Sequence, residues 1–171
     1  MPMAIAELVS VDRYLHTSFE HDAEFVEGTI VERPMPVWEH SRVQGFLVLT
    51  LGAMEAELGF YVVPEQRVQT RPDRFRVPDV CVVWERPAGD PGRRIVTKPP
   101  YLWIEILSPE DTAVETLEKV REYLAFGVGW VWVIEPVTRT GQIHSRTGVS
   151  SVENRIFVTD RFQIDLAAVG F

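Results

Sequence analysis

The sequence predicts an α/β or α+β fold, a mixed central β-sheet flanked by helices, built by one domain over residues 1–171. Three observations predict it. Two segments, 38–58 and 112–126, carry apolar residues at helical spacing; several short apolar runs have strand length; glycine and proline punctuate the joins between them. The 171 residues suffice for one buried core, and a composition of 46% hydrophobic and 25% charged residues excludes a disordered chain.

Taken in order, Val11 to Phe19 reads as a short helix with Ser10 as its N-cap, and Phe25 to Arg33 as a hairpin turning at Glu27-Gly28. Val43, Phe46, Leu47, Leu51, Met54 and Leu58 mark a long helix from about Trp38, which Gly59 ends. Gly45 and Gly52 weaken that helix and are expected to let it pack closely on the sheet. Phe60 to Thr70, Pro78 to Trp84 and Tyr101 to Leu107 read as strands, with Arg86 to Pro100 as a long loop. Thr112 to Phe126 is a second amphipathic helix, its apolar side formed by Val114, Leu117, Val120, Tyr123 and Leu124, and Gly127 closes it. Trp130 to Glu135 returns as a central strand, and Gln142 to Ser145 and Ile156 to Ile164 add strand material.

Composition narrows the chemistry. No apolar run approaches the length of a membrane span, and Met1 to Val11 lacks a secretory layout, so a cytoplasmic location is expected. Cys81 is a lone cysteine in an apolar run, which excludes an internal disulfide and reads as a buried small hydrophobe. His16, His21, His40 and His144 show no paired zinc spacing, which disfavours a zinc protease or deaminase. The net charge of −8 is unlike that of a protein that grips nucleic acid by charge alone. Arg67, Arg71, Arg74 and Arg76, followed by Arg93, Arg94 and Lys98, form either one positive face or a set of solvated loop charges.

Three residues do not suit their surroundings. In Tyr101 to Leu107, strand alternation puts Glu105 on a face with Trp103, inside a strand that looks buried on both sides. Such a carboxylate needs a cation, a metal or a raised pKa, unless the strand leaves it at an exposed edge. Asp79 opens the run Val80 to Trp84 just after Pro78, and either satisfies a turn or joins Glu105 if their strands are neighbours. Two adjacent carboxylates suit Mg²⁺ completed by water and phosphate oxygens. Lys119 follows Glu105 on the next helix; it either pairs with Glu115 on the surface or reaches back toward the carboxylates.

Several ordered segments resemble one known family. They are Glu24-Phe25-Val26-Glu27-Gly28, Glu39-His40, Val77-Pro78-Asp79-Val80, Glu105-Ile106-Leu107-Ser108-Pro109, and Glu118-Lys119-Val120-Arg121-Glu122-Tyr123. With Gly127 to Pro136 they are similar to the Uma-two family of bacterial proteins regarded as restriction endonucleases, over about Val11 to Val158. The resemblance implies the PD-(D/E)XK, restriction-endonuclease-like fold, with Asp79, Glu105 and the carbonyl of Ile106 as ligands of Mg²⁺ or Mn²⁺. The superfamily lysine two residues after the glutamate is Leu107 here; the family is thought to place it on the next helix, where Lys119 matches. Glu24 and His40 match further family positions and are expected to be accessory site residues, although His40 could make only a local hydrogen bond. Gly129-Trp130 and Glu135 depart from the family's usual ending without touching these positions.

The expected activity is metal-dependent hydrolysis of DNA phosphodiester bonds, in a homodimer or higher homo-oligomer of the kind superfamily nucleases often form. The displaced lysine and acidic charge motivate an alternative: a nuclease fold kept for DNA binding or protein assembly without catalysis. A third reading is a hydrolase of smaller phosphate esters.

Overall fold

Ser10 accepts the Arg13 N–H at 3.1 Å and so opens helix α1, Val11–Leu15. In the computed structural model, which describes residues 8–19, 23–92 and 94–171, strands β1 (Ala23–Val26) and β2 (Thr29–Glu32) follow as a hairpin. Glu27 (φ 50°) and Gly28 (φ 88°) make its turn, both left-handed as a two-residue hairpin of this hand requires. His21 and Arg93 lie outside the described residues, as does most of the N-terminal segment 1–11.

The long helix expected from Trp38 to Leu58 is two helices, α2 (Trp38–Gly52) and α3 (Glu55–Leu58), with Gly59 in the left-handed conformation at the end. The strand expected over Phe60 to Thr70 also divides, into β3 (Tyr61–Pro64) and β4 (Val68–Arg71), which enter different sheets. Pro64 has no N–H to continue a ladder and Glu65 turns left-handed (φ 51°), so the chain corners there. Next come β5 (Arg74–Arg76), β6 (Val80–Val83), β7 (Leu102–Ile106), α4 (Ala113–Phe126) and β8 (Trp130–Glu135). The chain ends with β9 (Thr140–Ser145), β10 (Gly148–Val152), β11 (Ile156–Val158), β12 (Gln163–Asp165) and a single 3₁₀ turn, Leu166–Ala168. The segment Ile156 to Ile164 is therefore a hairpin rather than one strand.

The larger sheet has the order β10-β9-β8-β7-β6-β3 and is antiparallel except between β7 and β8. That parallel pair demands a crossover, and α4 supplies it. A smaller antiparallel sheet, β2-β1-β5-β4, stands beside it. This is the mixed sheet flanked by helices that the sequence predicts.

Strand alternation sorts the core into two layers. Val80, Val82, Leu102, Ile104, Ile106, Trp132 and Ile134 face Val43, Leu47 and Leu51 of α2 and the C-terminal hairpin. Cys81, Trp103, Val131 and Val133 face Val120 and Tyr123 of α4. Burial pushes the Cys81 thiol up to about 12, so it packs and does not react. The apolar side of α4 is narrower than expected, because Val114 and Leu117 are exposed, 68% and 41%. In the small sheet Phe25 and Phe75 pack with Tyr14 of α1, which leaves the opposite, charged face of β1 and β5 toward α4. Among the described residues no helix is long and apolar enough to cross a membrane.

Two glycines set opposite expectations for stability. A β-carbon at Gly45 would have nothing within 4 Å, so this glycine does not serve close packing. Gly45→Ala is expected to stabilise by about 0.5–1 kcal/mol through helix propensity. A β-carbon at Gly141 would lie 2.0 Å from the Val133 carbonyl oxygen in the β8–β9 ladder. Gly141→Ala should cost about 2 kcal/mol or more, lowering Tm by roughly 4–8 °C in a thermal melt, while Gly45→Ala raises it.

Candidate active site

The pairing of β6 with β7 sets the site. Val80 lies opposite Ile104 and Cys81 opposite Trp103, and the same register one residue further sets Asp79 opposite Glu105. Residues directly opposed on antiparallel strands share a face, so both carboxyl groups reach the same end of the sheet. Asp79 is 1% exposed. Its Oδ2 accepts the Ile106 N–H at 2.6 Å, and its Oδ1 pairs with the Arg33 guanidinium and with Nε2 of His40 at 3.2 Å. Burial pushes the Asp79 carboxyl up, but His40, Arg33 and the Ile106 amide together outweigh it and hold it below the usual range.

Glu105 has a different environment. Its Oε1 accepts the Trp103 indole N–H at 2.8 Å and the Tyr123 hydroxyl at 2.8 Å, both neutral donors. Burial raises its pKa, Asp79 and Glu24 push it the same way, and Lys119 and Arg33 only partly offset this. One buried carboxylate is thus committed to its charge, while its neighbour resists ionisation.

Lys119 comes from α4, a helix that Thr112 starts by accepting the Glu115 N–H at 3.2 Å while donating to the Glu115 carboxylate at 2.6 Å. With Glu115 engaged there, the Lys119 Nζ lies 3.6 Å from Oε2 of Glu24 instead. Burial lowers the Lys119 pKa, but Glu105 and Glu24 raise it by more, so the ammonium keeps its proton. Glu24 also accepts from Arg76 at 2.8 Å and from the Val77 N–H at 3.2 Å. Behind it Glu122 takes Arg76 at 2.7 Å, Arg74 at 3.1 Å and the Thr70 hydroxyl at 2.6 Å.

All five side chains singled out in the sequence, Asp79, Glu105, Lys119, Glu24 and His40, border one cleft of about 670 Å³, and Ile106 lies on its wall. Sequence reasoning missed four that support them: Arg33, Arg76, Trp103 and Tyr123. Trp103 stands two residues before Glu105 and Tyr123 four after Lys119, so strand and helix periodicity contain a signal for both. Arg33, at the end of the hairpin, carries no such signal. His40 does more than make a local contact, because its Nε2 reaches Asp79, although its Nδ1 is buried without a hydrogen-bond partner among the described residues.

The electrostatics correct one expectation. Arg74 and Arg76 do not join a positive face, because Glu24, Glu27 and Glu122 hold them; Arg71 pairs with Glu27 at 3.6 Å and Arg67 lies over the Tyr14 ring. The cleft itself is acidic. Glu24, Glu32, Glu65, Asp79, Glu105, Glu110, Asp111, Glu115 and Glu118 line it, against Arg33, Arg76 and Lys119. Among the described residues no three His, Cys, Asp or Glu side chains form a ready metal cage. Two carboxylates still fit Mg²⁺, which binds through one or two carboxylates and completes its shell with water and phosphate oxygens.

A solved structure from Anabaena variabilis ATCC 29413, described as "a putative nuclease belonging to DUF820", superposes with a TM-score of 0.75 at 24% identity, covering 88% of this chain and 89% of that one. At that identity the likeness shows a shared fold. No curated protein matches the chain. The model of the Uma2 family, described as "Putative restriction endonuclease", matches residues 11–168, and the chain belongs to that family.

Proposed function

We propose that this chain is an endonuclease that hydrolyses DNA phosphodiester bonds with Mg²⁺ or Mn²⁺ held by Asp79, Glu105 and the carbonyl of Ile106. The observation that supports it is the meeting of Asp79 and Glu105 on neighbouring antiparallel strands, in a cleft that Lys119 also lines. Family membership supports nuclease chemistry in general. A divalent cation bound there supplies Lewis-acid stabilisation of phosphate charge and lowers the pKa of water.

The chain's own groups do the rest. The Ile106 amide and His40 fix the Asp79 carboxylate, and Trp103 and Tyr123 fix that of Glu105, so the oxygens are oriented before any ligand arrives. Lys119 offers a positive charge to a phosphate oxygen as negative charge grows there. Glu24, itself neutralised by Arg76, positions that ammonium. A homodimer or higher homo-oligomer would bring two such clefts to the two strands of a duplex.

A second reading is favoured by the Arg33 guanidinium resting on Asp79: an idle nuclease fold that binds DNA or partners without cutting. The two readings separate in one assay. Nicking of supercoiled plasmid is expected with Mg²⁺ or Mn²⁺, to be abolished in Glu105→Ala and lowered about 10²-fold in Lys119→Met. Equal nicking by Glu105→Ala would overturn the assignment. Salt-dependent DNA binding without cleavage under either metal would establish the idle module instead.

The raised Glu105 pKa gives a test that needs no substrate. A carboxyl whose pKa is higher folded than unfolded stabilises the fold at low pH, and that contribution is lost as pH rises through the folded value. Asp79, with a lowered pKa, behaves oppositely and loses its contribution as pH falls. Glu105→Gln keeps a carbonyl acceptor for Trp103 and Tyr123 but carries no charge. Without metal, it should therefore melt higher than wild type at pH 8, with the gap closing below about pH 4, under the ordinary glutamate value. Mg²⁺ should raise the Tm of wild type and leave that of Glu105→Gln unchanged. A wild-type melt insensitive to Mg²⁺ and Mn²⁺ would count against metal binding.

A further inference from the structure

Both oxygens of Asp79 already have partners. Its Oδ2 takes a backbone N–H, and its Oδ1 already has two partners, Arg33 and His40. A cation entering at Oδ1 must displace one of them. His40 is embedded in α2 with a side chain 6% exposed, whereas Arg33 lies just after strand β2, is 19% exposed and runs into the irregular Pro34-Met35-Pro36. A guanidinium and a divalent ion on one carboxylate oxygen also repel strongly at such separations. Arg33 is therefore the group that leaves.

Its destination follows from the surrounding charges. Arg76, the other guanidinium on the cleft wall, is held by Glu24 and Glu122, neither of which the cation claims. Among the described residues, Arg33 is the cleft arginine that loses its partner when the cation arrives. Its planar fork matches two phosphate oxygens, and it lines the same cleft as Lys119.

We infer that Arg33 is a phosphate-binding residue held in reserve: it neutralises Asp79 in the metal-free protein, is released when a divalent cation takes that place, and then binds the phosphodiester. This rests on the proposed metal site at Asp79 and Glu105. The carboxylates are thereby never left bare, and the guanidinium becomes available only once the cation is in position.

The test follows the guanidinium directly. In ¹⁵N-arginine side-chain spectra of the full chain, the Arg33 signal is identified by its loss in Arg33→Lys, and Mg²⁺ binding is followed at the Glu105 and Ile106 amides. Saturating Mg²⁺ should shift or exchange-broaden the Arg33 signal, and a phosphorothioate thymidylate pentamer, which resists hydrolysis, should shift it again. Arg33→Gln should weaken pentamer binding about tenfold in Mg²⁺, within the usual range of coupling between sites, and by clearly less without Mg²⁺. An Arg33 signal unmoved by bound Mg²⁺ overturns the inference while the metal site stands. A signal that moves with Mg²⁺ but ignores the pentamer, as it would if Glu32 or Glu65 captured the freed side chain, overturns the phosphate role. If Mg²⁺ moves neither amide, the metal site fails and the inference fails with it.

Discussion

The seating of Asp79 beside Glu105 by the β6–β7 ladder is the constraint to which the rest of the structure responds. Two carboxylates out of bulk water at one end of a sheet are tolerable only with compensating charge and hydrogen bonds. Each surrounding element brings some. The hairpin β1–β2 delivers Glu24 and Arg33, α2 delivers His40, β5 delivers Arg76, and α4 delivers Lys119 and Tyr123. Breaking a buried partnership of this kind costs about 3–5 kcal/mol, while an exposed pair contributes about 0–1 kcal/mol. The Arg71–Glu27 pair, with both side chains more than half exposed, belongs to the second class; Arg76 between Glu24 and Glu122 belongs to the first.

The two carboxylates are not equivalent. Charged donors and a backbone amide hold Asp79 ionised, whereas Glu105 receives hydrogen bonds from two neutral rings and only distant charge compensation. Such a division is how one pocket keeps neighbouring acids in different states. Here it leaves Glu105 as the group whose charge a bound cation would stabilise most. In the metal-free fold that carboxylate is a source of strain, which an apolar or neutral residue would relieve at the expense of any cation site.

Most of this was legible in the sequence because it rests on short-range periodicity. Glu105 stands out through strand alternation, Asp79 through its place after Pro78, and Lys119 through a helix whose caps, Thr112 and Gly127, are readable as residue types. The resemblance added Glu24 and His40. What stayed hidden depends on contacts distant in the chain: Arg33 meets Asp79 across 46 residues and Arg76 meets Glu24 across 52. The same limit explains the strand that Pro64 and Glu65 divide between two sheets, since sequence pattern describes a strand and not its partner. It explains β10 too, an edge strand of Gly, Val and Ser in which Val152 alone is buried, too little to give it a pattern.

Charge then limits how a polyanion can be handled. The chain carries a net −8, its cleft holds nine acidic side chains against three basic ones among the described residues, and the arginines of β5 are consumed internally. A protein of that kind gains little from releasing the counterions of DNA, the source of most non-specific affinity. Substrate affinity must come from the cleft itself. On the proposed reading each divalent cation reverses part of the local field, and it does so where the phosphate must sit. Cation and nucleic acid then bind as coupled ligands, each improving the site for the other. On the same reading, the acidic surface would keep the protein without its cation from gathering on DNA it is not equipped to cut.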